Sequence, residues 1–172
     1  MNDEFIEVTP CQSSRLKENG MPKISMTGTR TISGLTQKQL VNFRQLIIEY
    51  RDKGYTHLNH GDCVGADAIA HSIAIGLELQ VVIYPPNKVE CRANCKGGNV
   101  TIHPEASYRN RNQAIVNNGH VLMVLPKHNY EQRRSGTWMT VRMARKLNLP
   151  IIICYPDGRV VKENFGGLFG DK

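Results

Sequence analysis

Four short stretches of this chain carry the residue types that hold an anion. They are Thr27-Gly28-Thr29-Arg30, Gly61-Asp62-Cys63-Val64-Gly65-Ala66-Asp67, Tyr108-Arg109-Asn110-Arg111-Asn112 and Arg133-Arg134-Ser135-Gly136-Thr137-Trp138. Glycine lets backbone N–H groups approach an oxyanion closely, and hydroxyls add donors. Arginine supplies a planar fork of N–H groups that matches a phosphate. The chemistry these types share is the grip on phosphate oxygens, strengthened wherever such a stretch opens a helix and lends it partial positive charge.

Each stretch also has a plainer reading. Ser135 can serve only as a helix N-cap. The two arginines before it, with Gly136 and Thr137 beside it, favour an anion dock. Trp138, the one tryptophan, either stacks on a base or packs in the core. Asp62 or Asp67 can cap a helix, and Asp67 can equally take a ligand hydroxyl. Gly61 and Gly65 have the spacing GxxxG, which is not the GxGxxG of dinucleotide sites. Arg109 and Arg111 stand two apart and so do not share a helix face; Arg109 points either into a cleft or into solvent.

The elements that must position these stretches are read from periodicity. Short apolar runs at Lys23–Met26, Thr56–Asn59, Gln80–Tyr84, His120–Leu125 and Pro150–Tyr155 read as five strands. Between them lie helical patterns at 36–52, 65–77, 107–118 and 135–147. Leu40, Phe43, Ile47 and Tyr50 mark one face of the first, and Gly54 ends it. Ala66, Ala68, Ala70 and Ala74 let the second lie close to a sheet. The alternation predicts an α/β, Rossmann-like three-layer sandwich: a mainly parallel sheet of about five strands with helices on both faces. Three of the four stretches then follow a strand, where open α/β sheets bind ligands, and Tyr108 to Asn112 opens a helix after the 87–105 loop. Residues 87–105 read as a long loop, able to close over a ligand. Residues 1–21 read as an N-terminal arm with an optional edge strand at Ile6 and Val8. The domain spans 22–158, and 159–172 form a tail with an optional hairpin arm.

Composition sets the outer bounds. The chain has 172 residues, 40% of them hydrophobic, enough for one cored domain. No apolar run reaches the ~18 residues of a membrane span, and the acidic start Met1-Asn2-Asp3-Glu4 lacks a signal-peptide pattern. A cytoplasmic location is expected, with the five cysteines reduced. Cys91 and Cys95 could form half a zinc site, but no second pair comes after them, so no metal and no cofactor are assigned. The net charge of +7 and pI near 9.3 bias the chain toward anionic partners.

Taken in order, these stretches resemble the SLOG superfamily of Rossmannoid proteins, which includes the cytokinin-activating LOG phosphoribohydrolases, formerly called lysine decarboxylases, and DprA. Arg111-Asn112 falls where LOG proteins have an Arg-Lys pair, with the same spacing to Leu125-Pro126. Ser135-Gly136-Thr137 takes the place of the Gly-Thr element, Gly61 to Asp67 that of the phosphate loop, and Thr27 to Arg30 that of the first-strand loop. The resemblance covers roughly 22–158 and is nearest to small stand-alone phage and bacterial SLOG proteins. It implies a nucleotide-derived ligand, Arg111 as the catalytic arginine of any hydrolase, and homo-oligomers. Two departures stand out: the pair's lysine is Asn112, and the motif glutamate falls at Thr140, which lacks a carboxylate. Asp62, Asp67 or Glu131 would have to replace it.

Three functions are compatible with these residues. The first is binding of a phosphate-bearing, nucleotide-derived small molecule, as sensor or sequestering protein. Amides of 61–66 and 135–137 would hold phosphate oxygens, helped by Arg30, Arg111, Arg134, Thr29 and Thr137. The second is hydrolysis of a nucleotide N-glycosidic bond. The third is binding of single-stranded nucleic acid, which the charge favours and the 6% aromatic content disfavours. No membrane partner is expected.

Overall fold

The computed structural model describes residues 20–166. The elements are β1 (Lys23–Gly28), α1 (Gln37–Asp52), β2 (His57–His60), α2 (Ala66–Gly76), β3 (Gln80–Ile83), β4 (Val100–Ile102), α3 (Tyr108–Asn117), β5 (Val121–Leu125), α4 (Gly136–Lys146), β6 (Ile151–Cys154) and β7 (Val160–Glu163). Short 3-10 turns occupy Ile32–Gly34 and Val89–Cys91. The suggested N-terminal edge strand at Ile6 and Val8 lies outside the described residues.

One sheet runs in the order β4-β3-β2-β1-β5-β6-β7. All neighbours are parallel except β6 and β7, which are antiparallel. The sheet therefore has seven strands, two more than the sequence pattern indicated. Both extra strands are short edges. β4 is three residues long with two exposed, and β7 alternates exposed with half-buried positions, so neither presents the apolar run by which the buried strands were recognised. β4 lies inside the stretch read as a bare loop, and β7 inside the tail.

Successive residues of β5 feed opposite faces of the sheet. Val121, Met123 and Leu125 pack with Phe43, Ile47, Ala66, Ala70 and Ala74 from α1 and α2. Leu122 and Val124 pack with Val116 of α3 and with Trp138, Val141 and Ala144 of α4. Burying both faces is what makes β5 apolar throughout. The alanine row of α2 allows the close approach expected: a Cβ on Gly28 of β1 would collide with Ala66. Thr36 caps α1 through a reciprocal bond with Gln39, a capping box. Gly54 comes just after that helix at φ +92, a value that suits glycine.

The chain starts in the middle at β1, winds outward through β2, β3 and β4, then returns to place β5 on the other side of β1. The connections thus diverge between β1 and β5. A crevice opens beyond the carboxyl ends of two strands at such a reversal.

Candidate functional site

The crevice is real: a cavity of about 630 Å³ lies there, well within the range of about 300–1,000 Å³ usual for small-molecule sites. Its walls come from the end of β1 (Gly28, Thr29, Arg30), the start of α3 (Tyr108, Arg111, Asn112) and the connection from β5 into α4 (Lys127, Arg133 to Thr137). Asp67 and Cys63 contribute from the β2–α2 junction.

That junction is organised differently from the expected phosphate cradle. Asp67 Oδ2 accepts the N–H groups of Gly61 and Cys63, both at 3.1 Å. The Asp62 N–H donates to His60 Nδ1 at 3.0 Å, the Val64 N–H to the Cys91 carbonyl and the Ala66 N–H to the Thr29 carbonyl. The amides of 61–64 and of Ala66 are therefore already committed to protein acceptors, and they do not form the anion grip read from the sequence. A carboxylate six residues after Gly61 captures two of these donors, and the segment after β3 captures a third. Gly65, at φ +87, is needed because a side chain there would strike the backbone of Arg30.

Gly61 has a more specific use. A Cβ on it would fall on Nη1 of Arg111, so the missing side chain is the slot in which that guanidinium lies. The Arg111 side chain is 8% exposed. Its Nη2 donates to the Cys63 Sγ at 2.9 Å, and its Nη1 stands 3.9 Å from Asp67 Oδ2. Its Nε is fully buried with no hydrogen-bond partner. Burial pushes the Asp67 carboxyl up, opposed by Arg111 and the two amides. Burial likewise pushes the Cys63 thiol up, with Asp67 adding to it.

Tyr108 gathers the cations of this wall. Arg30, Lys88 and Arg111 approach its ring at 5.6, 6.0 and 5.5 Å, within cation–π reach. Arg30 Nη1 also donates to the Tyr108 hydroxyl at 3.2 Å and to the Cys91 Sγ at 2.9 Å. Desolvation, then the bond with Cys91, pushes the Tyr108 phenol up to about 12. The phenol beside Arg30 is thus neutral near pH 7, and among the described residues no carboxylate pairs with that arginine.

The opposite wall is the N-terminus of α4. Ser135 caps it, accepting the Trp138 N–H at 3.4 Å, while its carbonyl takes the Met139 N–H. The Gly136 and Thr137 amides have no acceptor among the described residues, and both residues line the cavity. Unfilled donors at a helix start facing a cavity have the chemistry to hold an anion. Arg133 and Arg134 are exposed there and take part in no ion pair among the described residues. Arg142 is instead paired with Glu131 at 3.0 Å.

Of the residues singled out in the sequence, Gly28, Thr29, Arg30, Asp67, Arg111, Arg134, Ser135, Gly136 and Thr137 converge on this cavity. Others do not. Asp62 is 1% exposed; it binds Arg92 at 3.0 Å and the Cys95 N–H at 2.8 Å, so it clasps the 87–105 segment. Gly61, Gly65 and Ala66 shape the junction beneath. Arg109 is exposed and outside the cavity wall. Trp138 is an intermediate case: it lines the cavity while being 1% exposed and packed in the core cluster under α4. Thr140, where the motif glutamate would stand, is fully buried and donates back to the Gly136 carbonyl at 3.0 Å. The 87–105 segment is not a lid: Ala93 N–H bonds to the Asp62 carbonyl at 2.7 Å, β4 joins the sheet, and Arg92 pairs with Asp62 and Glu105.

Sequence reasoning missed Tyr108 and Cys63 as wall residues. Tyr108 sat in a quoted motif but drew no attention beside two arginines. Outside the cavity, His60, His71 and Cys95 bring ligand-type atoms within 4.8 Å of one another. Among the described residues no helix is long and apolar enough to cross a membrane.

No protein-family model matches the chain, and no curated protein matches it. Its structure is similar to that of TM1055, with a TM-score of 0.56 and 18% identity over 76% of this chain and 72% of that one. It is also similar to the DNA processing protein A (DprA) of Streptococcus pneumoniae, at 0.57 and 15% identity. That alignment covers 81% of this chain and 51% of DprA, about half its length. The Moco carrier protein of Chlamydomonas reinhardtii matches at 0.55 and 19%, covering 77% and 75%. All three share the α/β Rossmann-like fold of this chain.

Proposed function

We propose that the chain binds a phosphate-bearing, nucleotide-derived small molecule in the cavity between β1 and β5. The observation that carries this is the meeting of two independent anion-seeking features on one cavity. One is the buried Arg111 guanidinium with Arg30 beside it. The other is the pair of free amides opening α4, flanked by Arg133 and Arg134. Phosphate oxygens sit on the Gly136 and Thr137 amides, with the Thr29 and Thr137 hydroxyls in reach. Asp67 uses Oδ2 internally, and its other oxygen takes a ribose hydroxyl. That the fold also occurs in a DNA processing protein and in a cofactor carrier is compatible with a ligand at this edge. Calorimetry against inorganic phosphate, pyrophosphate, nucleoside monophosphates and ADP-ribose tests the proposal. Millimolar concentrations of all of them without heat of binding would end it.

One observation favours a second reading, in which the ligand is cleaved at its N-glycosidic bond. Of the three carboxylates able to replace the motif glutamate, Asp67 alone lines the cavity; Asp62 is held by Arg92, and Glu131 by Arg142 and Arg145. Chromatography for free base after incubation with nucleotides at high protein concentration separates this reading from simple binding. Nucleic acid finds less support, since among the described residues the cavity wall carries two aromatics, Tyr108 and the buried Trp138, rather than an exposed stacking row; anisotropy with a labelled single strand at two salt concentrations decides that case.

A further inference from the structure

We propose that His60, His71 and Cys95 form a binding site for a divalent transition metal of the zinc class, behind the cavity rather than in it. The residues come from the end of β2, the second turn of α2 and the segment between β3 and β4, so only the fold unites them. Their ligand atoms lie within 4.8 Å of one another, and His60 Nε2 is 2.9 Å from His71 Nδ1. With metal–nitrogen bonds of about 2.0–2.1 Å and metal–sulfur bonds of about 2.3 Å, tetrahedral ligand atoms stand roughly 3.3–3.6 Å apart. The cluster reaches that size when the two imidazole nitrogens part by about 0.4 Å and the Cys95 Sγ moves inward by about 1 Å. Two imidazoles and a thiolate select zinc-like ions over magnesium or calcium. Three protein ligands leave a fourth position for water on the side where Cys95 is half-exposed.

In the structure the histidines form an ordered relay. The Asp62 N–H donates to His60 Nδ1 at 3.0 Å, so the His60 proton is on Nε2 and points at His71 Nδ1. His71 Nε2–H then donates to the Lys96 carbonyl at 3.1 Å. His71 is already in the tautomer a metal needs, its second nitrogen anchored on a carbonyl. His60 is not, because its Nδ1 faces a donor. A flip of the Gly61–Asp62 peptide corrects this by replacing the Asp62 N–H with the Gly61 carbonyl. The flip is accessible for reasons local to these two residues. Asp62 has φ +56, and a half-turn of the peptide takes it to about −124°, in the ordinary extended region. Gly61 absorbs the matching change in ψ. The Gly61 carbonyl accepts no bond among the described residues, so the one bond lost is the relay's own.

The balance is simple. The metal takes lone pairs from His60 Nε2, His71 Nδ1 and Cys95 Sγ. The Cys95 thiol proton leaves to solvent, and the His60 proton passes from Nε2 to Nδ1. The ion would pin the 87–99 strap to α2 and to the Gly61 slot that holds Arg111.

The test uses the full chain, stripped with chelator, kept reduced and titrated with cobalt(II) and zinc(II). The expected result is one ion per chain by native mass spectrometry and a thiolate-to-cobalt charge-transfer band that zinc abolishes. C95S, at a half-exposed position, should lose the band while keeping the wild-type circular dichroism. C91S, altered at a thiol outside the cluster, should keep it. Absence of the band in the wild-type chain, or its loss in C91S and survival in C95S, overturns the proposal. Calorimetry with pyrophosphate on the same samples reports the cavity separately.

Discussion

Gly61→Ala is the most searching perturbation of the site, because it adds one methyl group outside the cavity. The new Cβ would occupy the position of Arg111 Nη1, and Gly61 is fixed by its N–H bond to Asp67, so the guanidinium must move. It then gives up the Cys63 contact at 2.9 Å and its place 3.9 Å from Asp67. A charge-assisted hydrogen bond from arginine to a phosphate contributes about 1.5–3 kcal/mol, so anion affinity should fall roughly 10- to 150-fold. Asp67 keeps its two amide donors, so the fold loses less than it would from a fully stripped buried carboxylate; about 1–3 kcal/mol is expected. The assays are calorimetry with whichever of pyrophosphate or ADP-ribose binds the wild type, and thermal melting. Arg111→Ala completes the cycle. If Gly61 acts only by housing Arg111, the second substitution costs almost nothing once the first is made. Wild-type affinity in Gly61→Ala, or full additivity in the double variant, refutes the slot argument.

Gly136→Asp should abolish anion binding while leaving the melting temperature unchanged or slightly raised. An added Cβ there meets nothing within 4 Å, and a carboxylate at a helix start is favourable to the helix, but it stands where the ligand's charge must dock; retained affinity by calorimetry would contradict that placement. Acid should destabilise the protein through His60, whose value burial and then His71 lower from 6.5 to about 3. Below 6.5 the unfolded histidine takes a proton that the folded one refuses, so this contribution is lost as pH falls from 6.5 toward about 3. The slope approaches about 1.4 kcal/mol per pH unit at most, one proton's worth, and urea titrations of His60→Asn should show a shallower acid limb. Asp62→Ala should loosen the 87–105 segment, since it removes acceptors for Arg92 and the Cys95 amide. Faster hydrogen exchange across Ala93 to Lys96, with β5 unchanged, is the expected readout.

The layers, and the edge of the sheet at which the cavity opens, were legible because they depend on periodicity and on the residue types just past each strand end. Val121 to Leu125 fits a strand buried on both faces, and Ser135-Gly136-Thr137 after it has the residue types that open a helix. The edge strands were not legible. Val100 to Ile102 is too short and too exposed to differ in pattern from a loop; it is a strand because Val81, Val82 and Ile83 offer it a free edge. Trp138 was undecided for a related reason, since a residue at the third position of a helix faces cavity or core according to a rotation that spacing alone does not give.

The Gly61 to Asp67 stretch shows where reading by residue type fails. Glycines beside a helix start are common to phosphate loops and to tight internal junctions, and the difference lies in which group accepts the amides. Here Asp67 does, a residue on α2 itself, so the loop's donors close on its own helix. That closure also holds Asp67 against Arg111 and leaves Arg111 buried, with one donor unfilled. The amides spent in this way are not open to a phosphate. The cavity-lining amides without an acceptor among the described residues belong to α4, across the cavity, and on the proposed function the affinity should depend on Gly61 through Arg111 rather than through any bond of its own.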